Sequence, residues 1–336
     1  MRKKTNIAIN GFGRIGRAVF KAILEGYPDL EVVAINDLAD AETLAHLLAY
    51  DTCYGRYHLP VSATKDGLKI KGKKYRLFAE KDPSLLPWGK LDVDVVLECT
   101  GHFRDADGAG LHIKAGAKRI IISAPAKGKV KTVVFGVNEK GLRKSDRIIS
   151  CASCTTNCLA PVTEVIKKSF GIKKALMTTV HAYTADQNLV DGPHKDLRRA
   201  RAGAANIVPT STGAATATAE VIPSLAAKFD GLSVRVPVPV GSLCDAVYLL
   251  DKKTDLDMLA KVLYKAASSS LKGIVAVSEE ELVSSDIIGN PHSAIVDLKM
   301  CKIVGGDLLK VISWYDNEWG YSHRLADLSR YLGKLS

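Results

Sequence analysis

The 336-residue chain is short of several features, and each shortage excludes something. No apolar run reaches the roughly 20 residues a membrane-spanning helix needs, so no membrane partner is expected. The basic start, Met1-Arg-Lys-Lys-Thr5, leads into a strand-like run instead of an apolar leader, and no secretory signal is read there. Aromatics make up only 6%. No basic strand is interleaved with them and no helix-turn-helix spacing occurs, so a nucleic-acid partner is not expected. The seven cysteines are odd in number and lack framework spacing, which points to free thiols in a reducing cytoplasm. Cys151, Cys154 and Cys158 cluster, but no second Cys/His group stands at zinc spacing, so no metal site is expected. Internal repeats and low-complexity segments are missing as well.

What is present is enough chain for two domains and a net charge of +11. Residues 1–153 hold 26 Lys and Arg against 17 Asp and Glu, whereas the remainder holds 21 against 19. A basic N-terminal half favours anionic ligands. Much of the excess falls in 65–76 and 127–131, which read as solvated loop or edge-strand surface.

Thr5-Asn-Ile-Ala-Ile-Asn10 is a buried-strand pattern that runs into Gly11-Phe-Gly-Arg-Ile-Gly16 and then a helical segment, 17–25. A second strand, 31–36, ends at Asp37. Strand, G-x-G-x-x-G, helix, strand and acidic residue form the full dinucleotide-binding context. Gly11 permits the tight turn, Gly13 lets backbone approach a pyrophosphate, and Gly16 allows close packing of helix on strand. Asp37 lies 21 residues beyond Gly16, placed to accept from ribose hydroxyls and to repel a 2′-phosphate, so NAD is favoured over NADP. Arg14 reads as either a pyrophosphate ligand or a surface arginine. Apolar strands follow at 94–98 and 119–123, with a helix at 105–115 between them. Their near-continuous apolar character suits a parallel sheet covered on both faces. Residues 57–78 read as antiparallel hairpin insertions.

In mid-chain, Ser150-Cys-Ala-Ser-Cys-Thr-Thr-Asn-Cys-Leu-Ala-Pro161 follows a short strand and precedes an amphipathic helix read from Cys158. A thiol at a strand-to-helix junction meets the positive end of the helix dipole, which favours thiolate. On these residues alone Cys154 reads as a nucleophile or as a small buried side chain. Period-2 alternation along 175–183 places Met177, Thr179, His181 and Tyr183 on one face. His181 then reads as an activating base or as a structural histidine. The irregular stretch 184–201 carries Lys195, Arg198, Arg199 and Arg201, and a loop of that length usually serves function. Pro209-Thr-Ser-Thr-Gly213 opens a small-residue helix whose N-terminus suits an anion, or is simply capped. Arg235 is the one charge in an apolar strand and requires an anionic partner, either a carboxylate or a phosphate.

Taken in order, Asn10-Gly-Phe-Gly-Arg-Ile-Gly-Arg17, Ala152-Ser-Cys-Thr-Thr-Asn-Cys-Leu-Ala-Pro161, His181-Ala-Tyr-Thr-Ala-Asp-Gln187, Asp196-Leu-Arg-Arg-Ala-Arg201, Ser211-Thr-Gly-Ala-Ala215, Arg235-Val-Pro237 and Trp314-Tyr-Asp-Asn-Glu-Trp-Gly-Tyr321 resemble the phosphorylating glyceraldehyde-3-phosphate dehydrogenase family over essentially the whole chain. The resemblance implies an α/β architecture: a Rossmann domain with a mostly parallel sheet in 1–153, and an α+β catalytic and tetramerisation domain with a mainly antiparallel sheet in 154–316. The C-terminal helix, 317–336, would pack back on the first domain. It implies conversion of D-glyceraldehyde 3-phosphate to 1,3-bisphosphoglycerate with inorganic phosphate and NAD, a step of glycolysis and gluconeogenesis. Cys154 would be the nucleophile that forms a hemithioacetal and then a thioester, and His181 its base.

By the same resemblance, Thr184, Arg199 and Arg235, with Asp186 nearby, would hold the substrate phosphate. Ser153, Thr155, Thr212 and Gly213 would hold the attacking phosphate. Cofactor contacts would fall to Arg14, Ile15, Asp37, Lys81, Ser123 and Asn317, together with the three fingerprint glycines and Thr100. A cytoplasmic homotetramer is implied, with the 184–201 loop at a subunit interface. The related erythrose-4-phosphate dehydrogenases share the thiol chemistry but hydrolyse the thioester; Thr184 and the Thr212-Gly213 pair favour phosphorolysis. Departures from the family pattern are Cys151 for asparagine, Thr216 for lysine, and Val238 and Val240 for threonine and asparagine. Gly192 replaces a leucine typical of NAD-specific members, which leaves room for NADP, whereas Asp37 argues for NAD.

Overall fold

A computed structural model describes residues 3–335. The chain forms two compact units: one of residues 3–133, 139–152 and 322–335, the other of residues 134–138 and 153–321.

The first unit is built on a nine-stranded sheet in the order Lys131–Thr132, Ile148–Ser150, Arg119–Ile122, Val95–Glu98, Thr5–Asn10, Leu30–Asn36, Lys73–Phe78, Gly67–Ile70, Val61–Thr64. The first seven strands run parallel. The apolar runs explain this. Every residue of Val95–Glu98 and of Arg119–Ile122 is buried, as strands covered on both faces require. Each Val or Ile so buried contributes roughly 1.5–3 kcal/mol. Helix Arg14–Gly26 follows the first strand, as the fingerprint demands. Residues of the C-terminal helix Trp319–Lys334 also belong here from Ser322 onward. Tyr27 donates its hydroxyl to Asp327 Oδ1 at 3.0 Å, and Arg119 Nη1 donates to the Leu332 carbonyl at 2.7 Å.

Two details differ from the sequence reading. Lys73–Phe78, read as part of a hairpin insertion, pairs parallel with Leu30–Asn36 and extends the main sheet; only the two strands beyond it are antiparallel. Its exposed Lys73, Lys74 and Arg76 disguise a strand that buries Tyr75. Helix Ala41–Ala49 is an element the sequence reading lacks, although Asp40 caps it by accepting from the Thr43 N–H at 2.8 Å.

The second unit carries an eight-stranded sheet: Val208–Ser211, Phe229–Val236, Ile172–Ala182, Ser242–Leu250, Leu308–Tyr315, Ala294–Asp297 and Val275–Ser278, with Lys302–Val304 paired to Leu308–Tyr315 off this path. It is mainly antiparallel, with parallel pairing only between Ile172–Ala182 and Phe229–Val236 and between Val275–Ser278 and Ala294–Asp297. Helix Cys154–Phe170 lies on this sheet, packed against its central strands. Thr163 and Tyr248 join helix to sheet through a 2.8 Å hydroxyl pair, and both are buried.

Candidate active site

The helix that presents Cys154 starts four residues earlier than its apolar periodicity indicates. Ser153 has an extended φ of −108°, and its Oγ accepts from the Thr156 N–H at 3.0 Å, so Cys154 is the first helical residue. The run Thr155-Thr156-Asn157 has low helix propensity, which hides the start; the serine cap supplies it. Just before the cap, buried Ala152 adopts a left-handed φ of 56°, a conformation that costs a non-glycine residue about 1 kcal/mol. The sulfur thus sits in the first turn, where helix N–H groups and the dipole favour negative charge.

His181 comes from the neighbouring strand. Its face is the buried one: Ala175, Met177, Thr179 and His181 are all buried, while Leu176 is exposed. His181 Nε2 lies 3.3 Å from Cys154 Sγ. Its Nδ1 lies 2.6 Å from the carbonyl of Ala182, an approach that only a protonated nitrogen tolerates. The proton therefore sits on Nδ1, and the Nε2 lone pair faces the thiol. A backbone carbonyl does the orienting that a carboxylate does in many catalytic triads.

Burial pushes the imidazole down to about 3, with the Arg235 charge as the next cause. Burial also pushes the Cys154 thiol up to about 11, against the opposing pull of Arg235 and of the Thr155 hydroxyl and N–H. Each lone ionisation is disfavoured. Moving the proton from Sγ to Nε2, however, creates a charge pair in contact and leaves the net charge unchanged, so burial resists the transfer much less than it resists either ionisation alone.

Arg235 is directly opposite His181 in the sheet register. Its Nη1 donates to the Ala182 carbonyl at 3.2 Å and to Thr184 Oγ1 at 3.4 Å. Among the described residues no carboxylate pairs with it, and its buried Nε has no hydrogen-bond partner. Arg199 is bound by Asp186 at 2.7 Å and donates Nε to Thr210 Oγ1 at 2.9 Å. Thr155 Oγ1 is 2.8 Å from the hydroxyl of buried Tyr315, which is also 2.8 Å from Thr179 Oγ1. Ser153 Oγ accepts the helix-cap bond from the Thr156 N–H and lies 2.7 Å from Thr156 Oγ1. Thr212 accepts from the Ala214 N–H at 3.2 Å and Gly213 caps the helix Ala214–Val221; among the described hydrogen bonds none joins either to Cys154.

In the first unit, Gly11, Gly13, Asp37, Lys81 and Thr100 line one cavity of about 370 Å³, together with Asn10, Asn36 and Phe103. Gly11 has φ +90°, and a Cβ on it would fall 2.7 Å from the Thr100 nitrogen; a Cβ on Gly16 would fall 2.1 Å from the Gly11 carbonyl oxygen. At Gly13 nothing lies within 4 Å of that position, so the backbone is open to a ligand. Asp37 steadies the loop by accepting from the Phe12 N–H at 2.7 Å. Arg14 pairs with Asp51 at 2.7 Å and stacks on Tyr54, while its backbone belongs to the helix N-terminus. Ile15 follows it in the helix, and the Ser123 N–H pairs with the Glu98 carbonyl at 3.0 Å. Asn317 belongs to the second unit, where its Oδ1 accepts from the Gly241 N–H at 3.1 Å and Ser242 Oγ at 2.9 Å.

The sequence reading passes over Tyr315 as a site residue and overlooks the polar set Asn10, Asn36, Glu98 and His112. The available signal is a polar residue ending each of three apolar strands. Tyr315 gives none, since a tyrosine on an apolar strand reads as core.

A family model described as glyceraldehyde 3-phosphate dehydrogenase, NAD binding domain, matches residues 5–106, and one described as the C-terminal domain of the same enzyme matches residues 153–317. The chain is 51% identical to glyceraldehyde-3-phosphate dehydrogenase 2 of Streptomyces avermitilis over 328 residues, covering 97% of this chain and 98% of that one. It is 51% identical to the glyceraldehyde-3-phosphate dehydrogenase of Geobacillus stearothermophilus over 327 residues, 97% of each chain. With the Thermotoga maritima protein of that name it shares 52% identity over 330 residues, covering 98% of this chain and 99% of its relative.

Proposed function

Because the chain belongs to the glyceraldehyde 3-phosphate dehydrogenase family, we propose that it oxidises D-glyceraldehyde 3-phosphate to 1,3-bisphosphoglycerate with NAD and inorganic phosphate, in glycolysis or gluconeogenesis. The observation that carries this reading is the contact of Cys154 with the unprotonated Nε2 of His181, beside Arg235, which has no carboxylate partner among the described residues. The cavity lined by Gly11, Gly13, Asp37, Lys81 and Thr100 fits a dinucleotide, since the Gly13 backbone is open where a pyrophosphate would approach. Arg14, Ile15, Gly16 and Ser123 would complete that site around the helix start, and Asn317 would serve the nicotinamide end. NAD supplies the hydride acceptor.

The chain's own residues account for the remaining steps. Cys154 Sγ attacks the aldehyde carbon while its proton passes to His181 Nε2 and on to the new hydroxyl. As the carbonyl re-forms, His181 takes that hydroxyl proton back, and Nδ1 keeps its bond to Ala182 throughout. The Cys154 N–H and the imidazolium stabilise the oxyanion. A phosphate oxygen then attacks the thioester carbon, and Cys154 leaves as thiolate. Arg235, Thr184 and Arg199, with Asp186 holding Arg199, would bind the substrate phosphate. Ser153, Thr155, Thr212 and Gly213 would bind the attacking one. In this reading 1–153 and the returning C-terminal helix are the cofactor domain and 154–316 is the catalytic domain.

The strong exposure of Leu189, Val190 and Leu197 in the 184–201 loop, and of Ile207 just beyond it, supports reading this stretch as a subunit interface of a homotetramer. A reducing cytoplasm suits seven cysteines that are all free. No described helix is long and apolar enough to cross a membrane. The test is NADH formation from glyceraldehyde 3-phosphate with and without inorganic phosphate. Turnover that ignores phosphate would exclude phosphorolysis in favour of hydrolysis, and a failure to oxidise the aldehyde at all would exclude the reading.

A further inference from the structure

Beneath the cofactor cavity lies a buried carboxylate, and among the described residues no lysine or arginine pairs with it. Glu98 ends the strand Val95–Glu98, and its side chain is fully buried against the equally buried His112. Glu98 Oε2 accepts from Asn10 Nδ2 at 2.6 Å and lies 3.1 Å from His112 Nε2. Its Oε1 accepts from the Thr100 N–H at 2.8 Å and from the Thr100 hydroxyl. Trp88 donates its indole N–H to His112 Nδ1 at 2.9 Å, so the neutral ring keeps its proton on Nε2 and aims it at Glu98. Among the described residues every group hydrogen-bonded to the Glu98 carboxylate is a donor. Four donors on four lone-pair positions is the setting of a carboxylate, and it offsets the cost of burying one.

The network runs from Glu98 to the rim of the cavity. Asn10 Oδ1 accepts from Asn36 Nδ2 at 2.7 Å. Asn36 in turn clasps the Glu80 backbone, donating Nδ2 to its carbonyl and accepting its N–H, each at 2.9 Å. The Gly11 N–H meets the Asn36 carbonyl at 2.8 Å, and the Cys99 N–H meets the Asn10 carbonyl at 2.7 Å. Asn10, Asn36 and Glu98 end adjacent parallel strands, and the loops that follow Asn10 and Glu98 carry Gly11, Gly13 and Thr100 into the cavity lining. Asp37 and Lys81 follow Asn36 and Glu80 in the same lining.

We propose that Glu98 is a positioning residue for NAD: it sets the polarity of one hydrogen-bond chain that holds the dinucleotide loop, the Glu80–Lys81 segment and Thr100 in register, with His112 fixing its orientation from behind. The proposal rests on the assignment of this cavity to NAD. Glutamine is nearly isosteric but puts an amide donor either against Asn10 and His112 or against Thr100, so one set of donors must turn away. If Asn10 turns its amide, its Oδ1 leaves Asn36 and the hold on Glu80 goes with it.

The test uses the full-length enzyme and titration calorimetry with NAD. Glu98→Gln is expected to weaken NAD binding by about tenfold or more, and to raise the KM for NAD much more than it lowers kcat. Tyr248→Phe serves as a control, because it breaks a buried hydroxyl pair with Thr163 in the second unit, outside the Glu98 network; it should lower the melting temperature yet bind NAD within about twofold of the parent. Should Glu98→Gln not fold, Glu98→Asp keeps the charge but is too short to reach Asn10 and Thr100 together, and should show the same loss. A Glu98 variant that melts earlier but binds NAD like the parent would overturn the proposal. A parent enzyme that does not bind NAD would instead overturn the assignment of the cavity.

Discussion

His181 faces Cys154 with one ring nitrogen, at 3.3 Å, and its own strand's Ala182 carbonyl with the other, at 2.6 Å. The second contact determines what the first can do, because a proton held on Nδ1 leaves Nε2 as the acceptor. Replacing His181 with asparagine should therefore slow aldehyde oxidation by about two to four orders of magnitude. It should also slow alkylation of Cys154 by iodoacetamide. Cys154→Ser should abolish oxidation and leave NAD affinity intact by calorimetry. Retained oxidation in that variant would move the nucleophile to Cys151 or Cys158.

Stability should carry the imprint of the buried imidazole at acid pH. His181 is held down to about 3 by burial and by Arg235, against an ordinary histidine value of 6.5. Between those values the unfolded chain binds a proton that the folded chain refuses. Its contribution is thus complete above the unfolded value and is lost as pH falls toward 3, at up to about 1.4 kcal/mol per pH unit. Urea unfolding at pH 6.5 and pH 4.5 should show the parent losing about 2 kcal/mol more than His181→Asn between the two. Equal losses would mean that the folded protein protonates His181 freely.

The fingerprint glycines should separate folding from binding. Gly16→Ala drives a methyl to 2.1 Å from the Gly11 carbonyl oxygen and should destabilise the protein by about 2 kcal/mol or more. Gly13 has an ordinary φ of −71°, and a Cβ there would point into open space. Gly13→Ala should melt within a few degrees of the parent yet lose NAD affinity, since the methyl occupies the approach to the backbone. An early-melting Gly13→Ala, or one that binds NAD normally, would contradict this division.

Tyr315 links the nucleophile's helix to the histidine's strand through the hydroxyls of Thr155 and Thr179, at 2.8 Å each. Tyr315→Phe removes both bonds in a buried setting and should cost about 1–3 kcal/mol. Turnover at saturating substrates should fall less than in His181→Asn, because Tyr315 donates to neither reacting atom. Chemical denaturation and steady-state rates check the two parts separately, and a loss of turnover equal to that of His181→Asn would make Tyr315 part of the proton path.

Some of this is legible in the amino-acid order alone because it is local. The glycines of 11–16 announce a tight turn, alternation along 175–183 puts His181 on one face with Met177, Thr179 and Tyr183 but does not say that this face is the buried one, and the near-continuous apolar strands call for a sheet covered on both sides. The thiol at Cys154 can be singled out as well, although its helix begins at the Ser153 cap, which outweighs poor propensity. Other features exist only once distant segments meet. Lys73–Phe78 joins the parallel sheet because its neighbour is Leu30–Asn36, not because of its own pattern. Asn10 and Glu98 stand 88 residues apart, and nothing in either segment states that the amide of one will answer the carboxylate of the other. Periodicity and turn chemistry are properties of neighbouring residues, whereas hydrogen-bond complementarity in a buried network depends on which donors the folded chain brings to the same few ångströms.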